Sequence, residues 1–258
     1  MNEQTQRSGT TQRGHRGRGV GLWIGVLLLV VLTPPDHGWA QTHDPGDTPF
    51  CAESSLVSLD EKGLQSVYCS SSPLVTRPLH AAHRSANVVF YSGVPAAWIG
   101  AWALRDNGDF ADAYRLTGVQ LATYGVVTGL KRVVGRPRPF VTQALTSRSG
   151  RYTSADVPGA YESFPSGHAS WSVALATSWS LSHPRWYVIA PSAVWATAVA
   201  VSRLRLGVHY PTDVLAGAVL GAGIATAVHL LRDAITPSAL QPEGTESAGP
   251  TMTLRVQF

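Results

Sequence analysis

Charge is what this sequence has least of. Asp, Glu, Lys and Arg make up 14% of its 258 residues, where about a quarter is usual for a soluble domain. Five stretches contain none of the four: Asn87–Leu104, Leu116–Leu130, Ala169–Ser182, Trp186–Val201 and Val214–Leu231. None shows the polar stripe that a surface helix of a soluble bundle needs. Cysteine is scarcer still. Cys51 and Cys69 are the only two, with no C-x-x-C and no zinc-type spacing, so neither a dithiol redox motif nor a zinc module is encoded. There is no internal repeat, which excludes a solenoid or propeller.

What positive charge exists is clustered. The net charge is +4 and the sequence pI about 9.3. Much of it lies in "RGHRGRG" near the N-terminus and in "KRVVGRPRP". The first precedes an apolar run and the second is short, which argues against a nucleic-acid partner. Arg7, Arg13, Arg16 and Arg18 form a basic n-region. Val20 to Leu32 is an apolar run of thirteen residues, and "GWA" offers small residues for cleavage after Ala40. Residues 1–40 therefore read as a signal peptide, or as an uncleaved anchor with its basic end in the cytoplasm. Either reading places the next segment outside the cytoplasm. Both cysteines fall in that exported segment, where a disulfide is favoured over two free thiols and closes a loop worth roughly 3 kcal/mol.

The organisation is set by these runs. Residues 41–84 are an exported, polar, Pro/Gly-punctuated segment with a loop-like composition. Residues 85–232 carry the five runs, and 233–258 read as a flexible tail. A membrane span needs about 20 apolar residues, with a lower limit near 17; two of the runs reach that limit. Gly217 and Gly221 form a G-x-x-x-G pair that lets helices approach closely, and Trp and Tyr sit near several run ends. The expected fold is all-α: a multi-pass transmembrane bundle with about five spans after a cleaved signal, or six with the N-terminal segment. A compact soluble helical domain is the alternative.

Three chemistry-bearing stretches stand at run ends: "KRVVGRPRP", "SFPSGHAS" and "SRLRLGVHYPTD". Threading the runs alternately across a membrane brings all three to one face. Lys131, Arg138 and Arg203 then outnumber the nearby carboxylates, Glu162 and Asp213. Cations at membrane depth need anionic partners, and Arg suits phosphate because its planar fork binds two oxygens. Ser166 and Gly167 would present amides at a helix N-terminus, an anion site in itself, and Gly167 lets the backbone come close. Pro211 marks a helix start between His209 and Asp213. Asp213 could reach back to one ring nitrogen and leave the other nucleophilic. His168 could give a proton to a leaving oxygen. Simpler readings stand beside these. His168 alone could be a cap or surface residue. His209 and Asp213 could bind a metal with His80 and His83. The arginines could form a headgroup-contacting face.

Taken together, K-x6-R-P at Lys131, Arg138 and Pro139, P-S-G-H at Pro165 to His168, and S-R-x5-H-x3-D at Ser202, Arg203, His209 and Asp213 resemble the three signatures of the type 2 phosphatidic acid phosphatase family. The resemblance covers roughly Asn87 to Leu231. It implies an all-helical bundle and catalysis without metal or cofactor. His209 would attack phosphorus to form a phosphohistidine, Asp213 would orient it, and His168 would protonate the leaving alkoxide and then activate water. Lys131, Arg138, Arg203 and the amides near Ser166 and Gly167 would hold the non-bridging oxygens. "GRPRP" also offers Arg136–Pro137, but only Arg138–Pro139 gives the six-residue gap from Lys131. Arg136 and Arg205 are extra cations, suited to a second phosphate or anionic headgroups. The expected activity is metal-independent hydrolysis of a lipid-linked phosphate monoester or diphosphate. It would take place at the outer face of a bacterial-type inner membrane, with the site facing the periplasm. The rivals are a soluble periplasmic acid phosphatase, a vanadium haloperoxidase (for which the chain is short) and a non-enzymatic protein that binds anionic lipid. The last needs the cations but not His209 with Asp213.

Overall fold

The structure is a computed structural model that describes residues 48–241, apart from 56, 57, 106 and 153. The signal or anchor expected over 1–40 lies outside the described residues, as does the tail expected over 233–258 from residue 242 on; residues 233–241 are described, with a short helix and a 3₁₀ turn in place of a flexible start. The described residues are helical, with no strand. The elements are α1 (Pro49–Ala52), α2 (Leu59–Tyr68), α3 (Pro73–Leu104), α4 (Asn107–Val134), α5 (Pro139–Thr142), α6 (Gly167–Ser182), α7 (Trp186–Arg205), α8 (Pro211–Leu230) and α9 (Arg232–Ile235), then a 3₁₀ turn at Ser238–Leu240.

Local chemistry sets the helix starts. Proline opens α3, α5 and α8, where its missing N–H costs nothing and its fixed φ suits a first turn. A capping box opens α2: Glu61 N–H donates to Ser58 Oγ (3.1 Å) and Ser58 N–H to Glu61 Oε2 (3.2 Å). The five charge-free runs fall inside α3, α4, α6, α7 and α8, the last ending at Leu231, which caps α8.

The segment 41–84 differs from its loop-like expectation. It contains α2, and α3 runs unbroken through the 84/85 boundary from Pro73. Composition misleads here because the polar residues of α3's first turns are not solvated loop residues. His83 Nδ1, for one, meets Arg203 Nη2 at 2.5 Å.

Helix α6 lies at the centre, packed on α8, α7, α4 and α3. The α6–α8 seam is the closest approach. A Cβ on Gly217 would stand 2.5 Å from Ser166 O, and one on Gly221 2.1 Å from Ser170 O; no side chain fits at either position. Small residues fill the rest of the interior. Val119, Ala174 and Ala225 form one cluster, and Ala82, Ala86, Trp195, Ala196 and Val199 another. Trp195 Nε1 donates to Ser85 Oγ (2.9 Å), which satisfies the buried indole.

A separate cluster sits at one end of the bundle. Phe50, Leu64, Tyr68, Leu145, Leu204 and Tyr210 pack together, and a disulfide joins Cys51 to Cys69 beside them. Arg148 stacks on the Tyr68 ring at 3.8 Å and donates to Tyr68 O (2.7 Å) and Arg205 O (3.1 Å). Tyr68 OH donates to Thr146 O (2.7 Å). The α1–α2 unit is thereby fastened to the end of α7 and to the loop after α5.

The outside of the bundle is apolar in many places. Ile99, Trp102, Leu121, Val194, Leu215 and Val219 are each at least 65% exposed, more than a soluble monomer shows without a purpose. Among the described residues two helices, Trp186–Arg205 and Pro211–Leu230, are long and apolar enough to cross a membrane. Helix α6 has sixteen residues, about 24 Å, shorter than the roughly 30 Å hydrocarbon layer.

Candidate active site

The end of the bundle that carries α2 also collects the three motif stretches. Lys131 comes from the last turn of α4, and Arg136 and Arg138 from the link that comes after it. Ser163 and Ser166 precede α6, while Gly167 and His168 open it. Arg203 ends α7, His209 lies in the short α7–α8 link, and Asp213 is in the first turn of α8. The link can turn because Gly207 sits at φ +69°, and a Cβ there would meet Leu145 Cδ1 at 2.8 Å.

His209 is the hub, buried at 3% exposure. Arg138 Nη1 lies 3.0 Å from its Nε2. A guanidinium only donates, so Nε2 is the acceptor and the ring proton belongs on Nδ1. That nitrogen faces Ser163 Oγ at 3.4 Å and Asp213 Oδ2 at 3.7 Å. Asp213 thus reaches the ring less directly than the four-residue spacing suggests, because Ser163 stands at the junction and donates to Asp213 Oδ2 at 2.6 Å. Burial, and next the charge of Arg138, push the His209 imidazole well below the usual histidine range, against the pull of Asp213. The ring is neutral at neutral pH, with Nε2 carrying the lone pair.

The cations are held rigidly. Arg138 donates through Nε to Gly159 O (2.8 Å), through Nη1 to Val208 O (2.9 Å) and through Nη2 to Tyr152 OH (3.3 Å), and stacks 4.1 Å over the Tyr152 ring. Arg203 is 3% exposed and donates to Ser202 Oγ from Nη2 (2.8 Å) and Nε (3.1 Å). Lys131 Nζ donates to the carbonyl of Glu162 rather than to its carboxylate. The His168 ring packs edge-on to Phe90 at 5.6 Å.

Two expectations need correction. The Ser166 amide is not free for an anion: it donates to Asp213 O at 2.9 Å, which pins the start of α6 to the start of α8. Its Oγ is buried without a hydrogen-bond partner. Arg136 and Arg205 are not spare headgroup readers. Arg136 donates to Asp213 Oδ1, Thr212 Oγ1 and Asp60 Oδ2, and lies 4.4 Å over the Tyr210 ring. Arg205 donates to Tyr68 O. Among the described residues no group of three or more His, Cys, Asp or Glu side chains gathers as a metal site. His83 joins Arg203.

Reading along the chain missed Ser163, Tyr152 and Asp60. Ser163 was visible two residues before Pro165, but nothing in its spacing marks a partner for Asp213. Asp60 and Tyr152 carry no local signal at all.

The geometry defines an all-helical bundle with a neutral, buried imidazole placed among fixed cations and backed by an aspartate. Such a site can hold an oxyanion and attack its central atom. Comparison with known proteins finds a family match over part of the chain: residues 113–237 match the PAP2 superfamily. A lipid A 1-phosphatase of Rhizobium etli is 36% identical over 112 residues, 40% of this chain and 45% of that protein. A lipid A 1-phosphatase of Rhizobium johnstonii is 38% identical over 96 residues, 36% of each. The chain thus spans less than half the length of these curated relatives. The fold matches that of Aquifex aeolicus LpxE with a TM-score of 0.54 and 19% identity, over 67% of this chain and 95% of that one. It also matches a transmembrane PAP2-type phosphatidylglycerolphosphate phosphatase from Bacillus subtilis with a TM-score of 0.51 and 20% identity, over 85% and 98%.

Proposed function

We propose that this protein is a membrane-embedded phosphatase that hydrolyses a lipid-linked phosphate through a phosphohistidine on His209. The observation that carries the reading is the polarity of the His209 ring. Nε2 faces the arginine and Nδ1 faces the Ser163–Asp213 pair, as a nucleophile backed by an acceptor requires. The relatives named lipid A 1-phosphatase make lipid A 1-phosphate the first substrate to test.

The reaction runs in two balanced steps. Phosphate oxygens take the N–H groups of Arg138, with Arg203 and Lys131 close by, and free Nε2. The Nε2 lone pair forms a bond to phosphorus while the bond to the lipid oxygen breaks. The imidazole becomes cationic, and Asp213 and Ser163 stabilise the Nδ1 proton. His168, which takes up a proton once the anionic phosphate offsets the cations around it, gives that proton to the departing oxygen. Neutral His168 then takes a proton from water as the water oxygen attacks phosphorus. The P–N bond breaks, and its electron pair returns to Nε2. Inorganic phosphate leaves, and both imidazoles are back in their starting states.

Exposed apolar side chains and two span-length helices support a membrane setting. The Cys51–Cys69 disulfide is on the site's end of the bundle, which supports a site facing an oxidising compartment such as the periplasm.

The test is phosphate release by purified full-length protein from lipid A, phosphatidate, phosphatidylglycerol phosphate, a polyprenyl diphosphate and nitrophenyl phosphate. Release from at least one lipid, lost in His209→Ala, is expected. No release from any, or equal release by His209→Ala, overturns the reading.

A further inference from the structure

Helix α2 lies outside the segment that matches the family, yet its first turn is connected to Asp213. Asp60 Oδ2 accepts from Arg136 Nη2 (2.8 Å) and Thr212 Oγ1 (2.6 Å), and its Oδ1 accepts from Thr212 N–H (2.9 Å). Arg136 Nη1 donates onward to Asp213 Oδ1 (2.7 Å). The other oxygen of Asp213 takes Ser163 Oγ (2.6 Å) and Tyr210 N–H (2.8 Å) and faces His209. One guanidinium therefore lies between two carboxylates, and the second carboxylate belongs to the His209 pair. Asp213 is fully buried, while the Asp60 and Arg136 side chains are 15% and 28% exposed, so solvent screens this chain of charges less than a surface ion pair. The approach is close along the helix as well: a Cβ on Gly63 would meet Pro211 Cγ at 2.9 Å.

We propose that Asp60 is a positioning residue for the reaction: from helix α2 it holds Arg136 against Asp213 and offsets the guanidinium's charge, so that Asp213 is fixed in place while its negative charge still acts on His209. This rests on the phosphatase reading above. A guanidinium facing Asp213 alone would orient it equally well but would cancel the negative charge that supports the imidazolium formed on attack. With Asp60 present the trio carries one net negative charge, directed at His209. The competing role is purely structural. By accepting from the Thr212 amide, Asp60 also satisfies a first-turn donor of α8, and that alone would affect stability only.

The two roles separate in a pH profile. His209 is faced by Arg138 of the α4–α5 link, by Ser163 and by Asp213 of α8, with the charges of Lys131 of α4 and His168 of α6 acting on it, Arg203 of α7 beside His168, Arg136 behind Asp213 and Asp60 of α2 behind Arg136. The acid limb of kcat/KM reports protonation of the free nucleophile. Asp60→Asn removes a negative charge and disfavours the imidazolium, so the limb moves to lower pH, by about half a unit. Arg136→Met removes a positive charge and moves it upward. With full-length protein in detergent and lipid A as substrate, Asp60→Asn should lower kcat about tenfold with KM within about twofold. Asp60→Glu should recover part of the loss. If Asp60→Asn lowers only the thermal midpoint, with kcat and the acid limb unmoved, the proposal is wrong. Should that variant not fold, Arg136→Lys serves instead. It keeps the charge but not the two-point bridge, so kcat should fall with the limb in place, and an unchanged kcat overturns the proposal. A parent protein that releases phosphate from none of the five substrates fails the functional reading itself, and this inference with it.

Discussion

The two ends of the bundle are built on opposite principles. At the site end Arg138, Ser163, Arg203, His209 and Asp213 are all buried. Each is held by hydrogen bonds to loops and helices distant in sequence, and α1 and α2 with their disulfide close over the outside. At the other end, Ala97, Leu104, Asp109, Asp112, Trp179 and His183 are among the residues lining a cavity of about 150 Å³. There Asp112 pairs with Arg115 three residues on (3.3 Å), Ser182 Oγ donates to Asp112 (3.1 Å) and Trp98 Nε1 to Thr117 Oγ1 (3.0 Å). Buried charge is costly unless fully partnered, so a protein concentrates it where it has a use. The contrast marks which end is chemical without reference to any relative.

Substitutions sharpen that contrast, and the largest effect belongs to the ring at the hub. His209→Ala should lower turnover by more than about 10³-fold, since no neighbour replaces an oriented imidazole. His168→Ala should spare the first step more on a nitrophenyl ester than on an alkyl phosphate, because the better leaving group needs less acid help. In a rapid-quench experiment that variant should still trap acid-labile, base-stable phosphoenzyme. Label found on Ser166 would reverse the assignment.

Next comes Asp213→Asn, with an expected loss of about 10²- to 10⁴-fold in kcat. A near-UV circular dichroism spectrum like the parent's would show that the fold persists. A loss under threefold would mean that Ser163 alone suffices behind His209.

The seam between α6 and α8 offers a matched pair. Gly221→Ala forces a methyl into Ser170 O and should cost about 1–3 kcal/mol. Gly223→Ala, two residues on with nothing within 4 Å of the added Cβ, should be neutral or stabilising by up to about 1 kcal/mol. Thermal midpoints in detergent that fail to separate the two would contradict the close approach.

Acid should loosen α2 before the bundle. Burial alone would raise the Asp60 carboxyl, but the hydrogen bonds from Arg136 and Thr212 outweigh it and hold the group below its ordinary value of 3.8. Its contribution is therefore complete above that value and is lost as pH falls through the lower folded one. Limited proteolysis near Ser58 at decreasing pH should show this. Asp60→Asn should remove the pH dependence.

The smallest effect is expected at the far end. Ser182→Ala removes its bond to Asp112 and should stay within about 0.5 kcal/mol, with kcat unchanged. A large loss of activity would make the two ends less independent than their contacts suggest.

Legibility in the sequence divides along the same line. The charge-free runs mark the five long helices, because a helix in an apolar setting must be apolar over its length. The three motifs come together as alternate threading requires. The first fourteen residues of α3 were missed because Arg77, His80, His83 and Arg84 interrupt the apolar pattern that ordinarily reveals a helix. Asp60 was missed for a deeper reason. Its partners lie 76 and 152 residues away, and no periodicity encodes a contact at that separation. Ser166 was misread through position alone: a helix N-terminus suggests free amides, but here the neighbouring helix supplies an acceptor.

The glycine seam also bears on how this protein could diversify. Ser166 and Asp213 are tied amide to carbonyl beside it, and the two helices admit no added side chain at Gly217 or Gly221. Random mutation there meets a wall, so a library aimed at new substrates would spend its variants unproductively. The stretch 143–161 is different. Its described residues, all but 153, border the site on irregular backbone and touch Arg138 through Tyr152 and Gly159, and many of them are exposed. Under the proposed phosphatase activity, selection for a different substrate should therefore accumulate changes in that stretch while the seam stays silent.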